Sequence, residues 1–324
     1  MFTYVVRRTL TAIPLLLLIS IILFWILNNA PGGPLAPYLQ NPHITPADIA
    51  RLKHNLGLDK PIWFRYIVWL GQIFRGDFGY STSNSEPVLQ AIAERIPATL
   101  ELMSISFIVS LVIGLSAGIF SAVRPYSVQD YIITTLAFLG QSTPVFALGL
   151  FLQYLLSVQG IPLPDGYKIA LPSAGISTTD AFDLGDRIQH LIMPVMVLSF
   201  LNLALYSRFM RSSLLEVMKT DYIRTAAAKG LSNTTILFKH GLKNALIPVV
   251  TVVAISFPTV LGGAVVTETI FAWPGAGRMF FNALQQSDIA LMMGYLLILA
   301  TSVVFSNLVA DVLYAWLDPR VTYN

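Results

Sequence analysis

The chain has 324 residues, of which 55% are hydrophobic and only 11% are charged, and its formal net charge is +3. A soluble domain carries about a quarter charged residues, so this composition cannot cover a water-exposed surface and indicates an integral membrane protein. The sequence contains no cysteine, which excludes disulfides, thiolate metal sites and cysteine nucleophiles. It also contains no Gly-x4-Gly-Lys-Ser/Thr run, so the chain has no P-loop for ATP.

Uncharged apolar runs long enough to cross a bilayer, which takes about 20 residues, recur along the chain. Six such runs lie near residues 9–29, 102–123, 131–156, 189–207, 246–267 and 289–310. The sequence therefore predicts an all-α, polytopic bundle of six spans. Residues 1–30 hold the first span, 31–98 an extracytoplasmic segment, 99–317 the core with the other five spans, and 318–324 a tail. A signal peptide is the alternative for the first run, but "NNAPGGP" offers no suitable cleavage site.

The basic residues fix an expected orientation. Arg7 and Arg8 precede the first span, and the segment from Arg208 to Lys243 holds seven basic against two acidic residues, a net of +5, so the rest of the chain sums to −2. Basic loops favour the cytoplasmic side, which predicts cytoplasmic N- and C-termini. Because the basicity is confined to one segment, the sequence gives no reason to expect nucleic-acid binding.

The extracytoplasmic segment carries two helix signals. Thr45 followed by Pro46 and Asp48 is typical of a helix start, and Gly57 of its end. The following stretch, "KPIWFRYIVWLGQIFRGDFGYS", alternates aromatic and basic residues, which predicts an amphipathic helix at the membrane interface. A packed cap over the bundle is a second interpretation, compatible with the first.

The cationic segment between the fourth and fifth runs predicts a hairpin of two helices, residues 208–245 (the hairpin). The fourth span is expected to continue as helix over 211–229, and Gly230 to close it in the left-handed conformation. Ser232 is a suitable N-cap for the return helix. Ala226, Ala227 and Ala228 leave the turn without bulky side chains, so a partner surface can approach its backbone. A basic loop held at lipid headgroups is the simpler alternative.

The hairpin resembles the cytoplasmic "EAA" loop of ABC importer permeases, E-A-A-x3-G-x9-I-x-L-P. Ala226, Gly230 and Leu242 match it, whereas Arg224, Thr225, His240 and Lys243 stand at its Glu, first Ala, Ile and Pro. The stretch "YIRTAAAKGLS…FKHGLKNALIPVVT" is similar to the form found in permeases for dipeptides, oligopeptides, nickel chelates and glutathione. The stretches "YVVRRTLTAIPLLLLIS", "APGGP", "LGLDKPIWFRYIVWLGQIFRGDFGYS", "ETIFAWPGAGRM" and "NLVADVLYAWLDPRV" also resemble this subfamily.

The resemblance implies a type I ABC importer permease in a bacterial or archaeal cytoplasmic membrane. It implies pairing with a second homologous permease, two cytoplasmic ATPases that bind ATP and Mg²⁺ in place of this chain, and an extracytoplasmic binding protein that delivers the solute. No cofactor is expected in the chain itself, whose remaining partner is membrane lipid. The residues expected to contact an ATPase are Arg224, Thr225, Ala226, Ala227, Ala228, Lys229, Gly230 and Leu231.

Polar and helix-breaking residues within the spans are candidates for lining a solute pathway, because lipid tolerates neither well. Each also has a plainer interpretation, as a kink, a close helix contact or a hydrogen bond to a neighbouring helix. Glu268 is of interest because a peptide carries an ammonium group. The candidates are Gln141, Ser142, Thr143, Pro144, Asn202, Ser256, Pro258, Gly262 and Glu268.

Two other classes compete with an importer subunit. A stand-alone secondary transporter needs an inverted repeat or charged residues at mid-membrane, and the sequence shows neither. An intramembrane enzyme needs a cluster of His, Asp or Glu at membrane depth, which is also absent, so no catalytic residue is predicted. Di- or oligopeptides are the expected solutes, and nickel chelates, glutathione and oligosaccharides are the alternatives within the same machinery.

Overall fold

The computed structural model describes residues 2–39, 43–179, 181–261 and 264–317, with side-chain surroundings for all of these except 2–5, 254–255, 257–261 and 311–317. Most of it is helical, and its one sheet is a two-residue pairing of β1 (Ile161–Pro162) with antiparallel β2 (Lys168–Ile169). The helices are α1 Phe2–Asn28, α2 Ala36–Leu39, α3 Pro46–Asn55, α4 Ile62–Phe74, α5 Val88–Val123, α6 Val128–Ser142, α7 Val145–Gln153, α8 Leu184–Val217, α9 Asp221–Ala228, α10 Asn233–Thr235, α11 Leu242–Leu261, α12 Val265–Ile270, α13 Ala276–Gln285 and α14 Ile289–Leu317. A 3-10 turn, Gly33–Leu35, precedes α2, and π-helical turns, Tyr154–Gln159 and Ile236–Gly241, follow α7 and α10.

The spans confirm the predicted all-α, polytopic class. Among the described residues, five helices are long and apolar enough to cross a membrane, and the bent pair of α6 and α7 makes a sixth if its arms form one span. The chain is therefore a multi-pass membrane protein.

The third span, predicted near 131–156, consists of two helices at an angle, which agrees with the interpretation of Pro144 as a kink. The axis turns by 106° between α6 and α7. At the break, Thr143 is extended with ψ 125°, and Pro144 follows with ψ 134°. Proline lacks the N–H of a helical turn and disfavours the α conformation of the residue before it, so the helix ends there.

The fifth apolar run is also not one helix over 246–267. The helix α11 ends at Leu261, and the separate α12 begins at Val265. Ala264, the last described residue before α12, is not helical, so the run is divided there. Gly262, one of the candidate pathway residues, lies outside the described residues.

Two compact units make up the chain, and the first draws chiefly on residues before Leu100 and after Trp273. In this unit α1 packs along α14, and Phe24, Val88, Ile92 and Leu291 lie at the centre of its apolar core. Because α1 and α14 are both apolar enough to span a membrane, close van der Waals packing holds them together, and not the removal of apolar surface from water.

The segment between the first two spans forms both predicted helices. Thr45 and Asp48 make reciprocal hydrogen bonds at the start of α3, a complete capping box. In α4, Tyr66 and Trp69 pack on the core and Tyr66 hydrogen-bonds Ser20 at 2.8 Å. On the opposite face Trp63 is 62% and Phe74 78% exposed. The amphipathic helix is therefore confirmed, and one face of it covers the core.

A buried carboxylate fixes the loop before α5 to the start of α14. Asp288 is fully buried, and its Oδ2 accepts hydrogen bonds from the hydroxyls of Ser81 at 2.6 Å and Ser83 at 2.7 Å and from the Ser83 N–H at 3.1 Å. Its Oδ1 accepts from the Leu291 N–H at 3.1 Å, which caps α14. Four donors thus satisfy a charge that burial would otherwise penalise heavily.

The second unit is built around a close contact of α5 with α8. A Cβ placed on Gly118 would lie 2.5 Å from the Ser207 carbonyl oxygen, and one on Gly114 would lie 2.9 Å from the Tyr206 Cβ. Ser199 on α8 also donates to the Ser106 carbonyl of α5 at 3.0 Å. Small residues and polar cross-links are what hold helices together in lipid, where no hydrophobic effect draws them to each other.

Substituting Gly118 by alanine tests this contact. Because the added methyl group meets backbone, α5 and α8 must separate, and we expect the free energy of unfolding in detergent to fall by about 1–3 kcal/mol. Gly71→Ala on α4, where a Cβ has nothing within 4 Å, is the matched control. It should be neutral or slightly stabilising, and equal melting temperatures for the two variants would contradict the close contact.

Candidate coupling hairpin and solute pathway

The entry side of the hairpin differs from the prediction of one continuous helix over 211–229. The helix α8 ends at Val217, and α9 begins separately at Asp221. Thr220 causes the interruption, because its backbone is extended (ψ 154°) and its hydroxyl donates to the Val217 carbonyl at 2.6 Å. The first turn of α9 then carries the acidic Asp221, where it suits the helix dipole.

The turn between α9 and α10 agrees with the prediction. Gly230 has φ +78°, in the left-handed region, and its N–H donates to the Ala227 carbonyl at 2.9 Å. The Ser232 hydroxyl accepts from the Thr235 N–H at 3.3 Å and so caps the return helix. Both residues thus confirm their predicted local roles.

A small apolar cluster holds the two arms of the hairpin together. Ile223 and Ala226 of α9 are buried against Ile236, with Met218 packed beside them. Tyr222 adds a link to α11, because its hydroxyl accepts from the Asn244 amide at 2.9 Å. Ala226 therefore faces inward, and its small side chain lets the two arms approach each other.

The other residues predicted to contact an ATPase form an exposed surface. Arg224 pairs with Asp221 at 3.3 Å, but both side chains are largely in solvent, where such a pair contributes little. Lys219, Lys229, Lys239 and Lys243 are exposed too, so the surface is cationic. The exposed members of the predicted set are Arg224, Thr225, Ala227, Ala228, Lys229, Gly230 and Leu231.

The sequence analysis missed an ion pair at the root of the hairpin. Arg211 on α8 binds the buried carboxylate of Asp130, the third residue of α6, at 2.7 and 2.8 Å. Arg211 was noted only as one of the basic residues. The available signal was Asp130 itself, a single acidic residue next to an apolar run, since a charge at that depth needs a partner.

The predicted pathway residues of the third span cluster at the bend. Gln141, Ser142 and Pro144 are exposed, and Thr143 is half-buried with its hydroxyl donating to the Leu139 carbonyl at 2.7 Å. Next to the bend, Gly140 approaches the Phe200 ring of α8, which a Cβ would meet at 2.9 Å. The bend thus exposes polar groups inside an apolar run.

The remaining pathway candidates are mostly engaged within the protein. Asn202 donates to the Leu198 carbonyl of its own helix at 3.4 Å, and Ser256 donates to that of Val252 at 2.8 Å. Glu268 on α12 is fully buried, so its carboxylate offers no surface to a solute in this conformation. The side chain of Pro258 lies outside the described residues, although its backbone is part of α11.

No set of three or more His, Asp or Glu side chains that would suit a metal ion occurs in the described part of the chain. The features described above are a compact hairpin, a bent span and close helix contacts.

Comparison with known proteins places these features in a family. Residues 114–323 match the family described as binding-protein-dependent transport system inner membrane component, and residues 1–103 match the N-terminal region of such components. Together the two matches cover nearly the whole chain, including the hairpin and the segment between the first two spans.

Several relatives are similar over their whole length. The oligopeptide transport system permease protein AppB of Bacillus subtilis is 43% identical, and the dipeptide transport system permease protein DppB of Escherichia coli K12 is 36% identical, each with 100% of both chains covered. A solved structure of the MetNI methionine ABC transporter in an inward-facing conformation has a similar fold, with a TM-score of 0.56 and 20% identity over 72% of this chain and 99% of that one. The chain therefore belongs to the family of binding-protein-dependent transport system inner membrane components.

Proposed function

We propose that the chain is the permease subunit of an ATP-driven importer of di- or oligopeptides, and that the hairpin transmits the work of a separate ATPase to the spans. The observation that carries the proposal is the build of the hairpin. Its two arms share a buried cluster of Ile223, Ala226 and Ile236. When an ATPase displaces the hairpin, both arms therefore move together. Its exposed face is small and cationic, and it suits an acidic groove on a partner.

The proposed orientation places the hairpin and both chain ends in the cytoplasm. The excess of Lys and Arg in the hairpin supports it, since basic loops stay on that side. The segment of α2 to α4 then faces the outside, where the exposed Trp63 and Phe74 suit the lipid interface. The membrane is proposed to be the cytoplasmic membrane of a bacterium or archaeon.

The proposed assembly divides the tasks among subunits. A second permease chain completes the pathway, two ATPases receive the hairpins, and an extracytoplasmic binding protein delivers the solute. The chain is proposed to be a non-catalytic subunit without a cofactor of its own, and the ATPases to bind ATP and Mg²⁺. The names of the relatives AppB and DppB support peptides as the solute, and whole-length similarity supports carrying that over.

The proposed route passes the bend between α6 and α7. Gln141 and Ser142 are exposed there, and a broken helix leaves backbone groups able to bind a polar solute. Because Glu268 is buried, we place it in packing around α12 in this conformation and not on the route.

The proposed assembly can be tested by purifying the chain from its native membrane in mild detergent. The proteins that remain bound to it are then identified by mass spectrometry. We expect a second permease, ATPases and a binding protein. Proteoliposomes of that complex should then take up a labelled dipeptide or tetrapeptide only with ATP inside and binding protein outside.

Two results would overturn the proposal. Recovery of the chain alone, from membranes in which other complexes stay intact, contradicts coupling to an ATPase. Uptake of a nickel chelate, glutathione or an oligosaccharide in preference to peptides would retain the machinery and replace the solute.

A further inference from the structure

The root of the hairpin is tied to the third span by a polar cluster, in which the buried Ser121 and Asp130 contact the half-buried Arg211 (the root clamp). The Asp130 side chain is 4% exposed, and both of its oxygens accept from Arg211, Oδ1 from Nε at 2.8 Å and Oδ2 from Nη2 at 2.7 Å. The Ser121 hydroxyl, at the end of α5, donates to Asp130 and accepts from Arg211 Nε at 3.1 Å. Three helices, α5, α6 and α8, thus meet at one bidentate pair, which is the geometrically most specific form of ion pair.

The root clamp also fixes the turn between α5 and α6. Tyr126 adopts φ +63°, an uncommon conformation for a residue other than glycine. Its N–H donates to Asp130 Oδ2 at 2.8 Å, and its ring lies beneath the Arg211 guanidinium at 5.9 Å. A backbone conformation of this kind persists only when its surroundings hold it, so the turn and the ion pair support each other.

Two further contacts leave α8 little freedom to slide. Two residues beyond Arg211, the Ser213 hydroxyl donates to the Ala245 carbonyl of α11 at 2.7 Å, which joins the two arms of the hairpin at their base. At the other end of α8, Arg187 binds Glu101 of α5 with Nε to Oε1 at 2.9 Å and lies over the Trp273 ring at 5.2 Å. A push on the hairpin therefore moves α5 and α8 together.

We propose that Asp130 and Arg211 are positioning residues of the transport cycle, which make the first arm of the third span move with the hairpin. The inference rests on the proposed function. The helix α6 begins at the root clamp and ends at the bend of Ser142 and Pro144, so displacement of the hairpin is delivered to the bend. Without the ion pair, α6 still packs along α8, with Gly140 against Phe200 and the Arg208 guanidinium over the Phe138 ring. Its first turn, however, is then held by the short turn after α5 alone, so the bend follows the hairpin less closely.

Coupling in the reconstituted complex is the first test. Asp130→Asn keeps the shape of the side chain and removes its charge, and Arg211→Gln removes the partner charge. For each we expect the number of peptides imported per ATP hydrolysed to fall about fivefold or more, while ATP hydrolysis changes less than about twofold. The double variant should be no worse than either single one, because the two residues act as one unit. Arg51→Gln, which breaks an ion pair whose arginine side chain is 76% exposed, is the control and should change nothing.

A distance measurement separates this role from simple stabilisation. Since the chain has no cysteine, Gln129→Cys on α6 and Glu216→Cys on α8, both exposed, give two labelling sites that are unique within the chain, which is labelled before it is assembled with its partners. With spin labels at both, we expect one narrow distance that stays the same with and without ATP, and a broadened distribution when Asp130→Asn is added.

Three results would overturn the inference: a distance that changes during the ATP cycle in the otherwise native complex, an unchanged import ratio in Asp130→Asn, or additive losses in the double variant. Failure of the unsubstituted complex to import any peptide would instead count against the proposed function. The distance measurement does not depend on uptake, so the two failures are distinguishable.

Discussion

Uptake by a Gly230→Val variant is expected to be about tenfold lower than that of the native chain, with the same amount of protein in the membrane. Gly230 has φ +78°, and a left-handed conformation costs an L-residue about 1–2 kcal/mol, most for a β-branched one. A barrier higher by about 1.4 kcal/mol is a tenfold change in rate. Because a Cβ at this position meets nothing within 4 Å, the loss reflects the shape of the turn and not crowding.

Gly230→Asn is the matched control, since asparagine visits the left-handed region more readily than other residues. It should retain most of the uptake. Gly230→Glu should lose at least as much as valine, because it adds a negative charge to the cationic surface as well. Uptake is measured with labelled peptide in cells that express the variants at equal levels. Normal uptake by the valine and glutamate variants would contradict the coupling role of this turn.

The second large effect is expected for Asp288→Ala, with a loss of about 3–5 kcal/mol in the free energy of unfolding. The substitution removes the acceptor of four hydrogen bonds, two of them from the Ser81 and Ser83 hydroxyls. Hydrogen bonds to charged groups contribute about 1.5–3 kcal/mol each, and buried donors left without a partner add a further cost. Thermal unfolding in detergent measures the loss directly, and chymotrypsin should cut the loop after Phe78 or Tyr80 faster.

Asp77→Ala is the control for this variant. Asp77 is exposed and accepts one hydrogen bond, from the Gly79 N–H at 2.9 Å. Its removal should change the melting temperature little. Equal shifts for the two variants would show that the buried network around Asp288 does not hold the loop to α14.

The sequence predicted best where local chemistry decides the structure. Thr45 with Asp48, Gly230 and Ser232 each took the predicted cap or turn conformation, because these depend on neighbours within a few residues. The amphipathic character of α4 also followed from side-chain order alone, since the spacing of apolar residues sets the face that packs.

Hydropathy located the third span near 131–156, and a kink was one interpretation of Pro144. Neither predicted the size of the bend, which turns the axis by 106° where α6 ends. A hydropathy profile gives the length of an apolar run, but it does not give the direction of the helix axis. The helix break at Thr220 was missed for a similar reason, because its hydroxyl bonds back to Val217 and so competes with the next turn.

Features that depend on contacts between two distant segments could not be predicted from the sequence. The burial of Ala226 depends on Ile236 across the turn, and the pairing of Asp130 with Arg211 joins residues that are far apart in the chain. In the sequence, Arg211 is evident only as a basic residue and Ala226 only as a small one. Neither property by itself reveals the partner, which tertiary packing supplies.

Because of the π-helical turn Ile236–Gly241, the return arm of the hairpin contains one residue more than a continuous α-helix would need. Such a turn takes one residue more than an α-helical turn, yet the helix on either side keeps its face. Loss of one residue there converts the turn to an ordinary α-helix and leaves Ile236 aimed at α9. The same deletion within Asp221–Ala228 would rotate the remaining residues by about 100° and carry Ile223 away from its partner. A one-residue deletion is therefore expected to be tolerated in the return arm of the hairpin and not in α9.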